Sequence, residues 1–157
     1  MIRSLKYSDK EILVNIINRI DIFSEEEKVV AVELIDEAIQ EKGNEYYNIF
    51  VKELNNKVVG YHCTGKRALT DGVFDMYWIV VDPELKGKGI GKELLKHAED
   101  FVLNNKGRLL LAETSSQECY NDTRKFYEKN NYSILADIKD FYKINDNLVV
   151  YGKYLKI

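Results

Sequence analysis

The chain has 157 residues, 45% of them apolar and 31% charged, with a net charge of −3 and a sequence pI near 5.5. That length suits one domain with a proper core, read here as residues 1–157. The acidic balance argues against a general nucleic-acid binder or a binder of anionic membranes, and no apolar run approaches the roughly 20 residues of a membrane span. Cys63 and Cys119 are no disulfide framework and read as reduced thiols. Such thiols make the cytoplasm the expected setting, and the start, Met1-Ile2-Arg3-Ser4-Leu5-Lys6, lacks the apolar stretch of a signal peptide.

In chain order, Asp9 can cap a first helix whose apolar positions Ile12, Leu13, Ile16, Ile17 and Ile20 fall at helical spacing. Ser24 followed by Glu27 is a capping box, opening a second helix through Val29, Val32, Ile35 and Ile39 that closes near Gly43. Glu25, Glu26 and Glu27 then sit in its first turn, where the helix dipole favours them. From Tyr46 the period changes to two. Strands are expected over Tyr47 to Leu54 and Val58 to Thr64, joined by a turn at Asn55-Asn56-Lys57.

A polar loop over 66–72 leads to a strand from Val73 to Val81, which stops at Pro83, the only proline. Lys86-Gly87-Lys88-Gly89-Ile90-Gly91-Lys92 follows, and an amphipathic helix runs from about Ile90 to Asn105, ended by Gly107. A glycine loop between a strand end and a helix start turns several backbone N–H groups one way, with the positive end of the helix dipole behind them. That arrangement binds phosphate, and Lys86, Lys88 and Lys92 add charge where a polyanion would lie. The order of residues fits neither a nucleoside-triphosphate P-loop nor a dinucleotide fingerprint. Beyond it, Arg108 to Glu113 is a near-continuous apolar strand suited to the centre of a sheet. A short helix is expected from Asn121 to Asn130. Strands over Ser133 to Tyr142 and Leu148 to Leu155 flank a turn at Asn145-Asp146-Asn147.

Val81-Asp82-Pro83 followed by Lys86-Gly87-Lys88-Gly89-Ile90-Gly91 resembles motif A of the GNAT superfamily of acetyl-CoA-dependent N-acetyltransferases, with Lys86 where the family prefers Gln or Arg. Lys125-Phe126-Tyr127-Glu128-Lys129-Asn130-Asn131-Tyr132 resembles its motif B, with Asn131 in the usual glycine position. The element order, ααβββ-loop-α-β-α-ββ, matches as well. The resemblance implies the family's α/β (α+β) fold: a mixed, mostly antiparallel sheet of about six to seven strands with helices on both faces.

It also implies roles. The amides of Gly87, Lys88, Gly89, Ile90 and Gly91, with the nearby lysines, would hold the pyrophosphate of acetyl-CoA. Backbone groups of Ile79, Val80 and Val81 would hold the pantetheine arm, where this strand splays from the next. Tyr127 falls on the tyrosine that protonates the coenzyme A thiolate, or is a packing tyrosine. Asn121 stands one residue from the family's cofactor-contacting Asn, and is otherwise a helix N-cap. Asp75 or Glu113 would be the general base, its pKa raised by apolar walls; each is otherwise an orienting group, and ordered water can serve instead. Lys66 and Arg67 would reach the 3′-phosphate of the cofactor, or nothing.

The implied reaction is direct attack by a primary amine in a ternary complex, since neither cysteine is in a nucleophile context. The alternative is a non-catalytic acyl-CoA-binding domain of the same fold. The acceptor is a small-molecule, peptide or protein amine, with Tyr77 the leading aromatic for its pocket. His62, Cys63, His97 and Cys119 have no zinc-ligand spacing, so no metal is expected. Pairing of relatives through edge strands makes a homodimer a reasonable expectation.

Overall fold

A computed structural model describes residues 1–40 and 46–156. Its strands are β1 (Ile2–Ser4), β2 (Asn48–Leu54), β3 (Lys57–Lys66), β4 (Val73–Val81), β5 (Leu109–Ser115), β6 (Ser133–Lys143) and β7 (Asp146–Tyr154). Its helices are α1 (Lys10–Asn18), α2 (Glu25–Gln40), α3 (Ile90–Asn104) and α4 (Asn121–Lys129). The strands form one seven-stranded sheet in the order β1-β2-β3-β4-β5-β7-β6. Every neighbouring pair is antiparallel except β4 and β5, which run parallel with α3 as the crossover.

Helices cover both faces. Leu13, Ile16 and Ile17 of α1 and Ala31 and Ile35 of α2 bury against Val51, Tyr61, Cys63 and Val80 on one face. On the other, Leu95, Ala98 and Val102 of α3 and Tyr127 of α4 pack on Phe74, Met76, Leu110, Ala112 and Tyr151. The alternation of β4 and β5 therefore sends Phe74, Met76, Leu110 and Ala112 to the α3/α4 side, and Asp75 and Glu113 to the α1/α2 side.

Several expectations are corrected in detail. β1 was not expected: it is only three residues long, below what a period of two can signal. Asp9 makes no side-chain cap to α1. Its carboxylate, 4% exposed, instead accepts bidentate bonds from Arg3 at 2.7 and 3.0 Å and one from the Lys6 amide at 2.7 Å. Ile12 and Val29 face solvent. The Ser24–Glu27 capping box forms as expected, with reciprocal bonds of 3.1 and 2.7 Å. The stop near Gly43 lies outside the described residues.

Asn55 and Asn56, at φ +50° and +61°, make a two-residue hairpin turn, and Lys57 already belongs to β3. Likewise Asp146 and Asn147 begin β7 rather than the turn before it. At the end of α3 the left-handed residue is Lys106 (φ +61°), not Gly107. The Gly107 amide closes the helix by donating to the Val102 carbonyl at 2.8 Å. Gly107 is required by crowding: a Cβ there would stand 2.2 Å from Val102 and 2.8 Å from Phe74. The expected stop of α4 is as read, with Asn131 at φ +65° and the Tyr132 amide on the Tyr127 carbonyl at 3.0 Å.

Candidate active site

β4 and β5 are paired only at Val73–Leu109, Phe74–Leu110 and Asp75–Leu111. Beyond Asp75 the two strands part. The parting coincides with a bulge on β4: Cys63 of β3 faces Trp78 while Thr64 faces Met76, leaving Tyr77 as the extra residue. A bulge bends its strand and sharpens the twist, so it carries the outer half of β4 away from β5. It also puts the consecutive Tyr77 and Trp78 on one face. Trp78 goes into the α1/α2 core against Phe23, with ring centroids 5.1 Å apart, and Tyr77 stands over Tyr47 at the same distance.

Among the described residues, the outer half of β4 pairs with β3 alone. The Val80 carbonyl lies on the β3 side, close to Gly60, and the Asp82 amide donates to the Val59 carbonyl at 2.8 Å. Alternation then turns the N–H and C=O groups of Ile79 and Val81 into the opening. Of the three residues assigned to the arm, those two face it.

The glycine loop lies at the mouth of the opening. Gly87 (φ +81°) and Gly89 (φ +83°) adopt the left-handed conformation, and a Cβ built on either meets nothing within 4 Å. The space above the loop is open, which is the room a phosphate needs. The Lys88 amide donates back to the Leu85 carbonyl. Among the described residues, the amides of Gly87, Gly89, Ile90 and Gly91 have no backbone acceptor, and the last two form the first turn of α3. Lys86 pairs with Asp122 at the start of α4 (3.1 Å), while Lys88 and Lys92 have no ion pair among the described residues. Asp82 is clamped by Arg19, the C-cap of α1, at 3.0 and 2.9 Å and accepts from the Glu84 amide, which fixes the loop to the helical layer. The Arg19 guanidinium holds the Asp82 carboxyl below its ordinary value.

Asp75 and Glu113 come together on the α1/α2 side of the opening, joined by a residue the sequence did not point to for this place. Arg67, in the loop after β3, donates through Nε to both Asp75 oxygens (2.9 and 3.1 Å) and through Nη2 to Glu113 at 3.4 Å. The expected apolar walls are thus replaced by an ionic pairing. Asp75 is buried and Glu113 exposed. A loop arginine has no periodicity to announce its partners, and Arg67 had been considered only for the 3′-phosphate.

Around these carboxylates stand phenols. Burial, then Asp75, pushes the Tyr77 hydroxyl up to about 12. Tyr120 donates to Glu27 Oε1 at 2.5 Å. Tyr142, near the end of β6, is raised by burial and by Glu113, Asp146 and Glu27. Tyr61 of β3 is fully enclosed in the core.

Tyr127 lies on the opposite face. Its ring stacks on Tyr151 (5.5 Å between centroids) and touches the rings of Phe126 and Tyr132; burial alone raises its phenol above the ordinary value. Asn121 is the first residue of α4, half-buried, and does not cap it: Tyr120 holds the N-cap position. His62 and His97 bond to each other through Nε2 and Nδ1 at 2.9 Å, with Thr64 on the inner side. Burial lowers the His62 imidazole to about 3, so this pair is a neutral polar inclusion beneath α3. Among the described residues no group of three or more His, Cys, Asp or Glu side chains is placed to hold a metal ion.

The site is thus a parted parallel strand pair with a glycine loop at its mouth, Asp75 and Glu113 on one face and Tyr127 on the other. The family model for the acetyltransferase (GNAT) domain matches residues 45–134. The chain belongs to the GNAT family of acetyltransferases. Among solved structures, a protein of Desulfovibrio desulfuricans assigned to the same GNAT family is 32% identical, with a TM-score of 0.93 over 98% of each chain. The GNAT fold also recurs at lower identity. The ribosomal-protein-S18-alanine N-acetyltransferase of Escherichia coli is 19% identical (TM-score 0.77, 100% of this chain and 94% of that one). A candidate acetyltransferase of Salmonella typhimurium, solved with its cofactor acetyl-CoA, is 18% identical (TM-score 0.75, 100% and 94%). Among curated proteins, none matches.

Proposed function

We propose that this GNAT protein is an N-acetyltransferase that moves the acetyl group of acetyl-CoA to a primary amine by direct attack in a ternary complex. The observation that carries the reading is the parted β4–β5 pair, with carboxylates on one face of the opening and Tyr127 on the other. When bound, acetyl-CoA supplies a thioester carbonyl already activated for acyl transfer. The chain's own groups do the rest. The free amides of Gly87, Gly89, Ile90 and Gly91, with Lys86, Lys88 and Lys92, hold the pyrophosphate, and Asn121 approaches from α4. The edge groups of Ile79 and Val81 hold the arm and help polarise the carbonyl.

On the α1/α2 face, Asp75 and Glu113 orient the acceptor ammonium. One of them takes its proton, directly or through a water, while Arg67 balances the remaining charge. Tyr127, kept protonated by burial, gives its proton to the sulfur as it leaves. The acceptor side carries Glu27, Asp75, Glu113 and Asp146 against Arg67, with Tyr77 and Tyr142 beside them, and this favours a cationic amine. The chain acts as one domain in the cytoplasm. β6, whose residues are all exposed, with Ile134, Leu135, Ile138, Phe141 and Tyr142 among them, is the edge through which a homodimer would form.

One observation favours the second reading, a non-catalytic acyl-CoA-binding domain: Arg67 occupies both candidate bases. The deciding experiment is thermal unfolding with and without acetyl-CoA, with ATP and NAD as controls, followed by thiol release across a panel of amines. A ligand at about 100 times its dissociation constant stabilises by roughly 2.7 kcal/mol, several degrees for a domain of this size. A shift with acetyl-CoA alone and amine-dependent thiol release support the enzyme. A shift without turnover on any amine supports the binding domain, and no shift removes both.

A further inference from the structure

Two buried side-chain polar atoms have no hydrogen-bond partner among the described residues: the Tyr61 hydroxyl and Thr114 Oγ1. Tyr61 is closed into the core between the sheet and the α1/α2 layer. Thr114 is placed differently. It is 6% exposed and lies on β5 past Leu111, the last residue paired with β4. Its neighbour on the far side is Val149 of β7, so its β4 side is the opening itself. By alternation its side chain shares a face with Leu110 and Ala112, which pack with the ring of Tyr127. The orphan hydroxyl therefore belongs to the α3/α4 wall of the opening, one strand across from the edge groups of Ile79 and Val81.

A buried hydroxyl without a partner is destabilising relative to a methyl group of the same shape, and valine suits a central strand as well as threonine does. A threonine here implies a polar partner that is not part of the chain. Of the polar groups of coenzyme A, the phosphates belong at the glycine loop and the adenosine beyond it. The groups that must pass between β4 and β5 are the two amides of the pantetheine arm, and a hydroxyl can donate to an amide carbonyl or accept from its N–H. We propose that Thr114 is a cofactor-positioning residue whose hydroxyl takes its missing hydrogen bond from an amide of the pantetheine arm. This rests on the acetyl-CoA reading above.

The test compares wild type, Thr114→Val and Thr114→Ser by calorimetry, with coenzyme A and with adenosine 3′,5′-bisphosphate, which lacks the arm. Thr114→Val should weaken coenzyme A by roughly threefold to tenfold, as loss of one neutral hydrogen bond does. It should leave the bisphosphate affinity unchanged, and unfold without ligand at or above the wild-type temperature. Thr114→Ser should stay within about twofold of wild type. Equal affinity of wild type and Thr114→Val for coenzyme A overturns the inference, and so does equal weakening of both ligands, which would mark a structural role. If wild type binds neither ligand, the acetyl-CoA reading falls first and takes this one with it.

Discussion

A proton donor must hold its proton until the leaving group needs it, and Tyr127 does so by being walled in. Its ring is 4% exposed among three other aromatic rings, and burial alone raises the phenol. Removing the hydroxyl removes the proton and nothing else from the packing. Tyr127→Phe is expected to lower kcat by about 10²-fold, while the dissociation constant for acetyl-CoA changes little; steady-state kinetics with calorimetry separates the two. On the opposite face the critical residue is Arg67. Arg67→Met would leave Asp75 buried without its guanidinium, at a cost of about 1–3 kcal/mol. Because the Arg67 side chain is 44% exposed and water can follow it, the lower half of that range is expected, read as a fall in Tm. The strand positions of Asp75 and Glu113 were legible in the sequence, Asp75 within the apolar run from Val73 to Val81 and Glu113 at the end of the one from Arg108. Arg67 was not, since its two partners are brought to it by the fold.

At the scale of elements, the strand from Val73 to Val81 was readable to the residue because a near-continuous apolar run meets a proline and then glycines. The parting of β4 from β5 was readable only by resemblance. Its local cause, the bulge at Tyr77, is a matter of pairing between distant segments, and no local pattern announces it. Helix ends show the same division. Asn131 was identified as a left-handed stop from its position, whereas Gly107 drew attention to itself by type when Lys106 adopts the unusual φ. The two residues have opposite expectations. Lys106→Gly should raise stability by up to about 1 kcal/mol, since a left-handed residue without a Cβ loses its strain. Gly107→Ala should cost about 1–3 kcal/mol, because its Cβ would meet Val102 and Phe74 well inside contact distance. Urea unfolding of the two variants checks both signs.

For the whole molecule, two carboxylates tie the helical layer to the sheet and to the glycine loop. Asp9 is held by Arg3, which also bonds Glu53 of β2, and Asp82 is held by Arg19. Both carboxyls lie below the ordinary 3.8 in the folded protein, first through the hydrogen bonds from their arginines. A depressed folded value stabilises above the unfolded value and is lost as pH falls through the folded one. Stability should therefore hold down to about pH 4 and drop below it, with proton uptake on unfolding. Asp9→Asn should flatten that drop, measured as the pH dependence of the urea midpoint.

The parting of β4 and β5 also has a mechanical side. Seven strands make one sheet, but its centre is stitched by three residue pairs, while β5 and β7 share seven. The sheet is in effect two panels on a short seam, one carrying β1 to β4 and the other β5 to β7. A load or a fluctuation that spares each panel can still open the seam. Amide exchange at Leu109 and Leu111, whose N–H groups face β4, should therefore outpace that of Leu110, which alternation turns toward β7.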